Sequence, residues 1–360
     1  MSEALVQLDL SMALSAEAYQ VGWICAVRTE YVVASELLDA EYPTPKLSSP
    51  HDHNAYTCGR MGDHNVVVAC LPKGRYGLSS AATVANDMLR SFPSIRFGLM
   101  VGIGGGAPSR KQDIRLGDVV VSSPVGKTGG VIHYEFGKTI QDKPFERTGS
   151  LSPPPTLLLN ALQKLSTLHE RRGHRIAETV NQMINKNPRL KKNYQHPDPA
   201  MDVLYRSSFL HPDSDRSCWE VCDPINIVQR PVRDPDQDDP AVHYGLIASA
   251  DRLMKDARVR DHLAETEGVL CFEMEAAGLV DNFHCLVIRG ICDYSDTHKN
   301  DVWQGYAAAT AAAYAKELLS EITPVDVVGM APSAQSAQSA QSAQSNSAPP
   351  NQNVSSTSWL

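Results

Sequence analysis

The chain has 360 residues, 42% hydrophobic and 21% charged, close to the average of folded soluble proteins. That composition excludes wholesale disorder, and no apolar run reaches the ~18 residues that a membrane-spanning helix needs. A formal net charge of −8 disfavours a nucleic-acid polymer as partner, because displacing its counterions takes a basic face.

Residues 1–18 read as an N-terminal arm. Glu3, Asp9 and Glu17 stand where a secretory leader would be basic, so the expected location is cytoplasmic. Strand-like runs follow at Val21–Val27, Val66–Leu71, Phe97–Ile103, Asp118–Ser122, Tyr244–Ser249 and Leu286–Cys292. Several are apolar throughout, which suits a sheet covered on both faces. Helical patterns alternate with them at Thr29–Leu38, Leu78–Arg90, Arg252–Glu265, Glu275–Asn282 and Val302–Glu321. The alternation predicts one α/β unit over residues 19–322. Between about 150 and 239 the pattern degrades around the amphipathic run Leu157–Glu170, which reads as an insertion. From 323 to 360 the composition turns to Ser, Ala and Gln, with a Ser-Ala-Gln triplet repeated from Ser333, so a disordered tail is expected.

Of the eight cysteines, Cys25, Cys70, Cys271, Cys285 and Cys292 lie in or beside apolar runs and read as reduced, buried thiols. Cys218 and Cys222, with His211 nearby, make half of a metal site. No second ligand pair at zinc spacing follows, so no metal and no cofactor is expected. The stretch Gly102-Ile103-Gly104-Gly105-Gly106-Ala107 fits the letter of a dinucleotide fingerprint. Pro108 and another strand at Asp118 occupy the place where that fingerprint needs a helix. Consecutive glycines still let backbone N–H groups approach a ligand or form an anion-binding nest; a tight turn is the plainer alternative.

Three acidic sites, Glu30, Glu273-Met274-Glu275 and Asp293, each stand where an apolar segment ends. One such carboxylate alone reads as a helix cap or ion-pair member; three beside a glycine-rich strand end read as a site. These residues carry a resemblance to the nucleoside phosphorylase and nucleosidase superfamily, including the methylthioadenosine/S-adenosylhomocysteine nucleosidases. It rests on Ala26-Val27-Arg28-Thr29-Glu30, Val101–Gly106, Leu116–Val121, Phe272-Glu273-Met274-Glu275-Ala276 and Arg289-Gly290-Ile291-Cys292-Asp293. The wording of Pro72–Gly77 and Asp113–Asp118 resembles the fungal branch, whose domain often precedes the NTPase and repeat modules of NOD-like receptors.

The resemblance implies a three-layer α/β/α sandwich around a mixed, partly barrel-like sheet, and cleavage of a purine N-glycosidic bond. Asp293 would protonate the departing base, with burial by the Val287–Cys292 run raising its affinity for that proton. Glu30 would activate water, Glu275 would hold the ribose hydroxyls, and Met274 would pack under the sugar. Glu273, Ile103, Gly104 and Cys292 fall within the same motifs, and Leu253-Met254 align with the purine wall. Phosphorylases of the superfamily place phosphate donors where this chain has Met100 and Ile103, so hydrolysis is favoured over phosphorolysis. Lys73 and Arg75 offer charge for a 5′-phosphate or remain solvated loop cations, leaving nucleoside and nucleotide both open. A catalytically silent nucleotide-sensing domain is the alternative from another class. By resemblance only, the expected partners are a small purine ligand and a second copy of the chain.

Overall fold

The computed structural model describes residues 13–333 other than 48, 144, 214 and 235; the arm before residue 13 and the tail beyond 333 lie outside the described residues. The strands are β1 (Val21–Cys25), β2 (Ala40–Tyr42), β3 (Tyr56–Met61), β4 (His64–Cys70), β5 (Phe97–Gly106), β6 (Val119–Ser122), β7 (Val131–His133), β8 (Gly137–Lys138), β9 (Glu146–Arg147), β10 (Val242–Ser249), β11 (Val269–Glu273) and β12 (Cys285–Asp293). The helices are α1 (Arg28–Glu36), α2 (Leu78–Ser91), α3 (Thr156–Arg172), α4 (Ile176–Lys186), α5 (Lys191–Tyr194), α6 (Cys218–Val221), α7 (Ala257–Glu267), α8 (Val280–Phe283), α9 (Gln304–Ser320) and α10 (Pro324–Val328).

The main sheet runs β11-β10-β6-β12-β5-β1-β4-β3-β2, with β7 added beside β10. A further antiparallel pairing of β11 with β5, Cys271 opposite Gly106 and Phe272 opposite Gly105, closes β11-β10-β6-β12-β5 into a ring. The expected mixed, partly barrel-like sheet is therefore what the chain forms. Val, Ile, Leu and Cys fill β1, β11 and β12 without polar alternation because every residue of these strands is buried. α9 explains part of that burial. Its run of alanines is buried almost all round, allowing close packing on β12 and β5 while α1, α3, α4 and α5 cover its other side.

Several expectations change in detail. Residues Glu275–Asn282 do not form one helix but a 3-10 turn, Ala276–Gly278, followed by the short α8. The Glu273 carboxylate accepts from the N–H groups of Glu275 and Ala276 and so bends the chain there. The helix expected from Arg252 starts at Ala257, where Asp256 caps it by accepting from Arg258 and Val259. The short strands β2, β3, β7, β8 and β9, together with β11 and α4, were not predicted.

Within residues 150–239, α3 and α4 bury Leu158, Leu162, Leu165, Ile176, Val180 and Met183 in the same core as the sheet. The end of this stretch is tied down by Asp118, whose carboxylate takes two bonds from Arg233, one from His243 and one from the N–H of Ala241. The boundary of the expected tail also shifts. α10 places Val327 in the core, and the Ser333 hydroxyl donates to the carbonyl of Arg96 at 2.7 Å. Residues 323–333 thus pack on the domain, because their apolar and capping groups find partners that Ser/Ala/Gln composition does not supply.

Candidate active site

The site grows from the glycine-rich end of β5. Gly102–Gly106 are strand residues with no positive φ, so the nest or tight turn expected here does not form. The glycines act by absence. A Cβ on Gly102 would collide with the Glu30 carboxylate and the Arg289 guanidinium. One on Gly105 would meet the Ser295 hydroxyl and stand 2.6 Å from Asp293 Oδ1. Three functional side chains thus lie against backbone that has no side chain of its own.

Glu30 lies in the first turn of α1. Its Oε2 accepts from Ala26 (2.6 Å) and Val27 (3.1 Å), so the helix-capping role is realised. Its Oε1 reaches across to accept from Ile103 N–H at 2.8 Å, tying α1 to β5. Burial pushes the Glu30 carboxyl above the usual range, with Arg289 and the three N–H groups pulling the other way.

Arg289, in the middle of β12 and fully buried, is the residue that sequence reasoning missed as a site member. It bonds Glu273 directly and stands 3.5 Å from Glu275. Burial works against its charge, but Glu273, Glu275 and Glu30 outweigh that and hold the guanidinium protonated. The signal was available: a lone cation inside an otherwise apolar strand needs carboxylate partners. Glu273 is committed to Arg289 and to the turn after β11. Glu275 faces Arg289, and its carboxyl is pushed up to about 7 by burial, with Arg289 opposing and Glu273 and Glu30 adding to the rise.

Asp293 closes β12. Its Oδ1 accepts from Ser295 N–H at 2.8 Å; Oδ2 accepts from the Cys292 thiol at 3.2 Å and from Lys299 Nζ at 2.6 Å. The carboxyl is buried, as the flanking run suggested, and an ammonium stands beside it. Burial works against the charge of Lys299, yet Asp293 and Cys292 outweigh it and hold the ammonium above the usual lysine range. No strand periodicity marks Lys299, which sits in the loop after β12. Ser295, with φ 51°, holds the turn that brings its N–H back to Asp293.

The remaining expected residues fall around this line. Ile103 and Met274 are half-buried, and Gly104 accepts from the Cys292 thiol at 3.6 Å through its carbonyl. Leu253 is 47% exposed, whereas Met254 belongs to a smaller apolar cluster with Phe272 and Ala107. Lys73 and Arg75 are exposed on the loop leading into Gly77. Met100 is wholly inside the core, paired between β1 and β12.

The closed sheet, the helical layers and this strand-end geometry define the nucleoside phosphorylase/nucleosidase fold, and solved structures agree. The chain is similar to the 5′-methylthioadenosine/S-adenosylhomocysteine nucleosidase of Neisseria meningitidis in complex with methylthio-immucillin-A, with TM-score 0.52 and 17% identity over 84% of this chain and 98% of that one. A nucleosidase of the same description from Colwellia psychrerythraea, in complex with adenine, gives 0.52 and 16% over 86% and 98%. Futalosine hydrolase of Helicobacter pylori gives 0.50 and 18% over 85% and 100%. Among curated proteins the chain is 46% identical over 312 residues to a nucleotide-binding leucine-rich repeat (NLR)-like protein of Hyaloscypha variabilis. The match takes in 87% of this chain but spans only 30% of that protein's length. No family model matches the chain. Among the described residues no helix is long and apolar enough to cross a membrane.

Proposed function

We propose that the chain hydrolyses the N-glycosidic bond of a purine nucleoside or nucleotide. The supporting observation is that Glu30 and Asp293 lie against the glycines of β5, where Arg289 also stands and reaches Glu275. Glu30 meets β5 at Ile103, and Asp293 pairs at Gly105. These two anchor points lie about two residues apart along the strand, roughly 7 Å.

In this reading Asp293 delivers a proton to the base as the C–N bond breaks. The electron pair leaves with the base, and the sugar develops positive charge. Glu275, anchored on one side only, accepts hydrogen bonds from the ribose hydroxyls and lies where its charge favours the oxocarbenium-like state. Water adds to the sugar carbon and gives its proton to Glu30. Adenine is the proposed base, supported by the adenine complex of the Colwellia relative. In this reading the exposed Leu253 contacts the base, and the exposed loop cations Lys73 and Arg75 meet a 5′-phosphate.

Hydrolysis rather than phosphorolysis follows from charge. Three carboxylates already surround the buried guanidinium of Arg289, so an added phosphate dianion there would meet a cation that is fully spoken for. The similarity to an NLR-like protein motivates a further reading, in which the domain serves as the output module of a larger receptor. The test is a panel of purine nucleosides through triphosphates, with released base measured by chromatography in the presence and absence of phosphate. Base release without phosphate is expected. Release only with phosphate would establish the phosphorylase. Binding of the whole panel without release would establish a silent sensing domain.

A further inference from the structure

Away from the carboxylates, the sequence stretch 211–222 meets the segment that follows β12. His211, Cys218 and Cys222 each offer a ligand atom, and these atoms lie within 4.8 Å of one another. One turn of α6 separates the two cysteines and returns both thiols to one side. The backbone N–H of His211 donates to the Thr297 hydroxyl at 2.9 Å, and the Cys218 thiol lies 3.9 Å from the carbonyl of His298.

His298 supplies an independent observation. It is 6% exposed; neither ring nitrogen makes a hydrogen bond, although Nδ1 stands 3.5 Å from the Asp296 carboxylate, and Nδ1 of His211 is likewise buried without a hydrogen bond. The His298 ring is stacked on Tyr205 with centroids 4.1 Å apart, and its centroid is 5.4 Å from that of His211. A buried imidazole whose Nε2 has no polar partner is costly unless something satisfies it. Two thiols and two imidazoles are the donor set that zinc-class ions take in closed tetrahedral sites, with ligand atoms roughly 3.3–3.8 Å apart for bonds of about 2.0–2.3 Å. The atoms of His211, Cys218 and Cys222 need to close by about an ångström, and the His298 ring, whose centroid is 5.4 Å from that of His211, must shift further to join them.

We propose that His211, Cys218, Cys222 and His298 form a structural zinc site that clamps the 150–239 stretch to the segment carrying Lys299. The site borders a cavity that also contains Asp293 and Lys299, so the ion would fix one wall of the space beside the candidate acid. It would take no part in bond cleavage, since all four ligands come from the protein. This inference goes beyond the hydrolase reading and stands independently of it.

The full chain, produced in zinc-replete medium and purified without chelator, is expected to carry about one zinc per chain by mass spectrometry of the metal. Cobalt replacing zinc should show intense thiolate-to-metal charge-transfer absorption. Cys218→Ser and Cys222→Ser should each abolish stoichiometric binding, and His211→Ala and His298→Ala should each weaken it at least about tenfold. Should the cysteine variants fail to fold, the wild-type chain decides by alkylation: Cys218 and Cys222 should resist labelling with zinc and become reactive after chelation. Metal-free protein whose two thiols label equally with and without zinc, or a Cys218–Cys222 disulfide in fresh protein, would overturn the proposal.

Discussion

Lys299 Nζ donates to Oδ2 of Asp293 at 2.6 Å, leaving Oδ1 held by the N–H of Ser295. The candidate acid is thus positioned from both sides by neighbours within its own loop. Asp293→Asn keeps the shape but carries no transferable proton, so base release should fall by roughly 10²–10⁴-fold with ligand affinity retained. Lys299→Met should lower kcat by about tenfold or more with little change in KM, and Lys299→Arg should recover part of the loss. Wild-type turnover by Asp293→Asn on an unactivated purine substrate would remove Asp293 from the mechanism.

Glu275 sets an expected pH dependence. Its carboxyl is pushed from 4.5 up to about 7 by burial and by its acidic neighbours, while the proposed role needs the ionised form. kcat/KM should therefore rise as pH climbs through about 7, and Glu275→Gln should flatten that rise while lowering the rate. Stability should run the other way. Because the folded state holds this proton more tightly than the unfolded chain, the stabilising contribution is complete below about 4.5 and is lost as pH rises towards 7. Urea midpoints of wild type and Glu275→Gln across this window check the sign.

Removing Arg289 leaves Glu30, Glu273 and Glu275 buried around no cation. Arg289→Met should destabilise the fold by about 3–5 kcal/mol in urea titrations, because uncompensated buried charge costs more than the pair contributes. Pairing that change with Glu273→Gln should recover part of the loss. An unchanged midpoint in the single variant would show that the guanidinium does not hold the cluster together.

Gly105→Ala separates site geometry from fold stability. The added methyl would stand against the Ser295 hydroxyl and Asp293 Oδ1, so the carboxyl must move. A displacement of about 1 Å should cost on the order of 10²-fold in turnover, with stability falling by about 1–3 kcal/mol. Thermal midpoints and base-release rates measured on the same preparation distinguish the two effects. Loss of stability with full turnover would contradict the placement of Asp293.

How much of this could be read from residues alone depends on the range of the interactions. The apolar runs that become β1, β4, β5 and β12 are legible because a strand covered on both faces must be apolar wherever it lies. The carboxylates at their ends are legible for a related reason: an acidic residue bordering core stands out against its neighbours. The chain did not reveal what those carboxylates meet. Arg289 approaches Glu273 and Glu30 only because β12 lies beside β5, and the space for it exists only because Gly102 carries no side chain. The same limit hid β11, whose antiparallel bonds to Gly105 and Gly106 close the sheet, and α10, which is too short to show a helical period although it places Val327 in the core. His211, Cys218 and Cys222 looked like half a site because His298 is 76 residues beyond Cys222, a separation that only the folded chain removes. Local pattern determined the main apolar strands, several of the helices and most of the acidic groups; long-range approach between buried strands decided their charge partners, and with them the chemistry the site can perform.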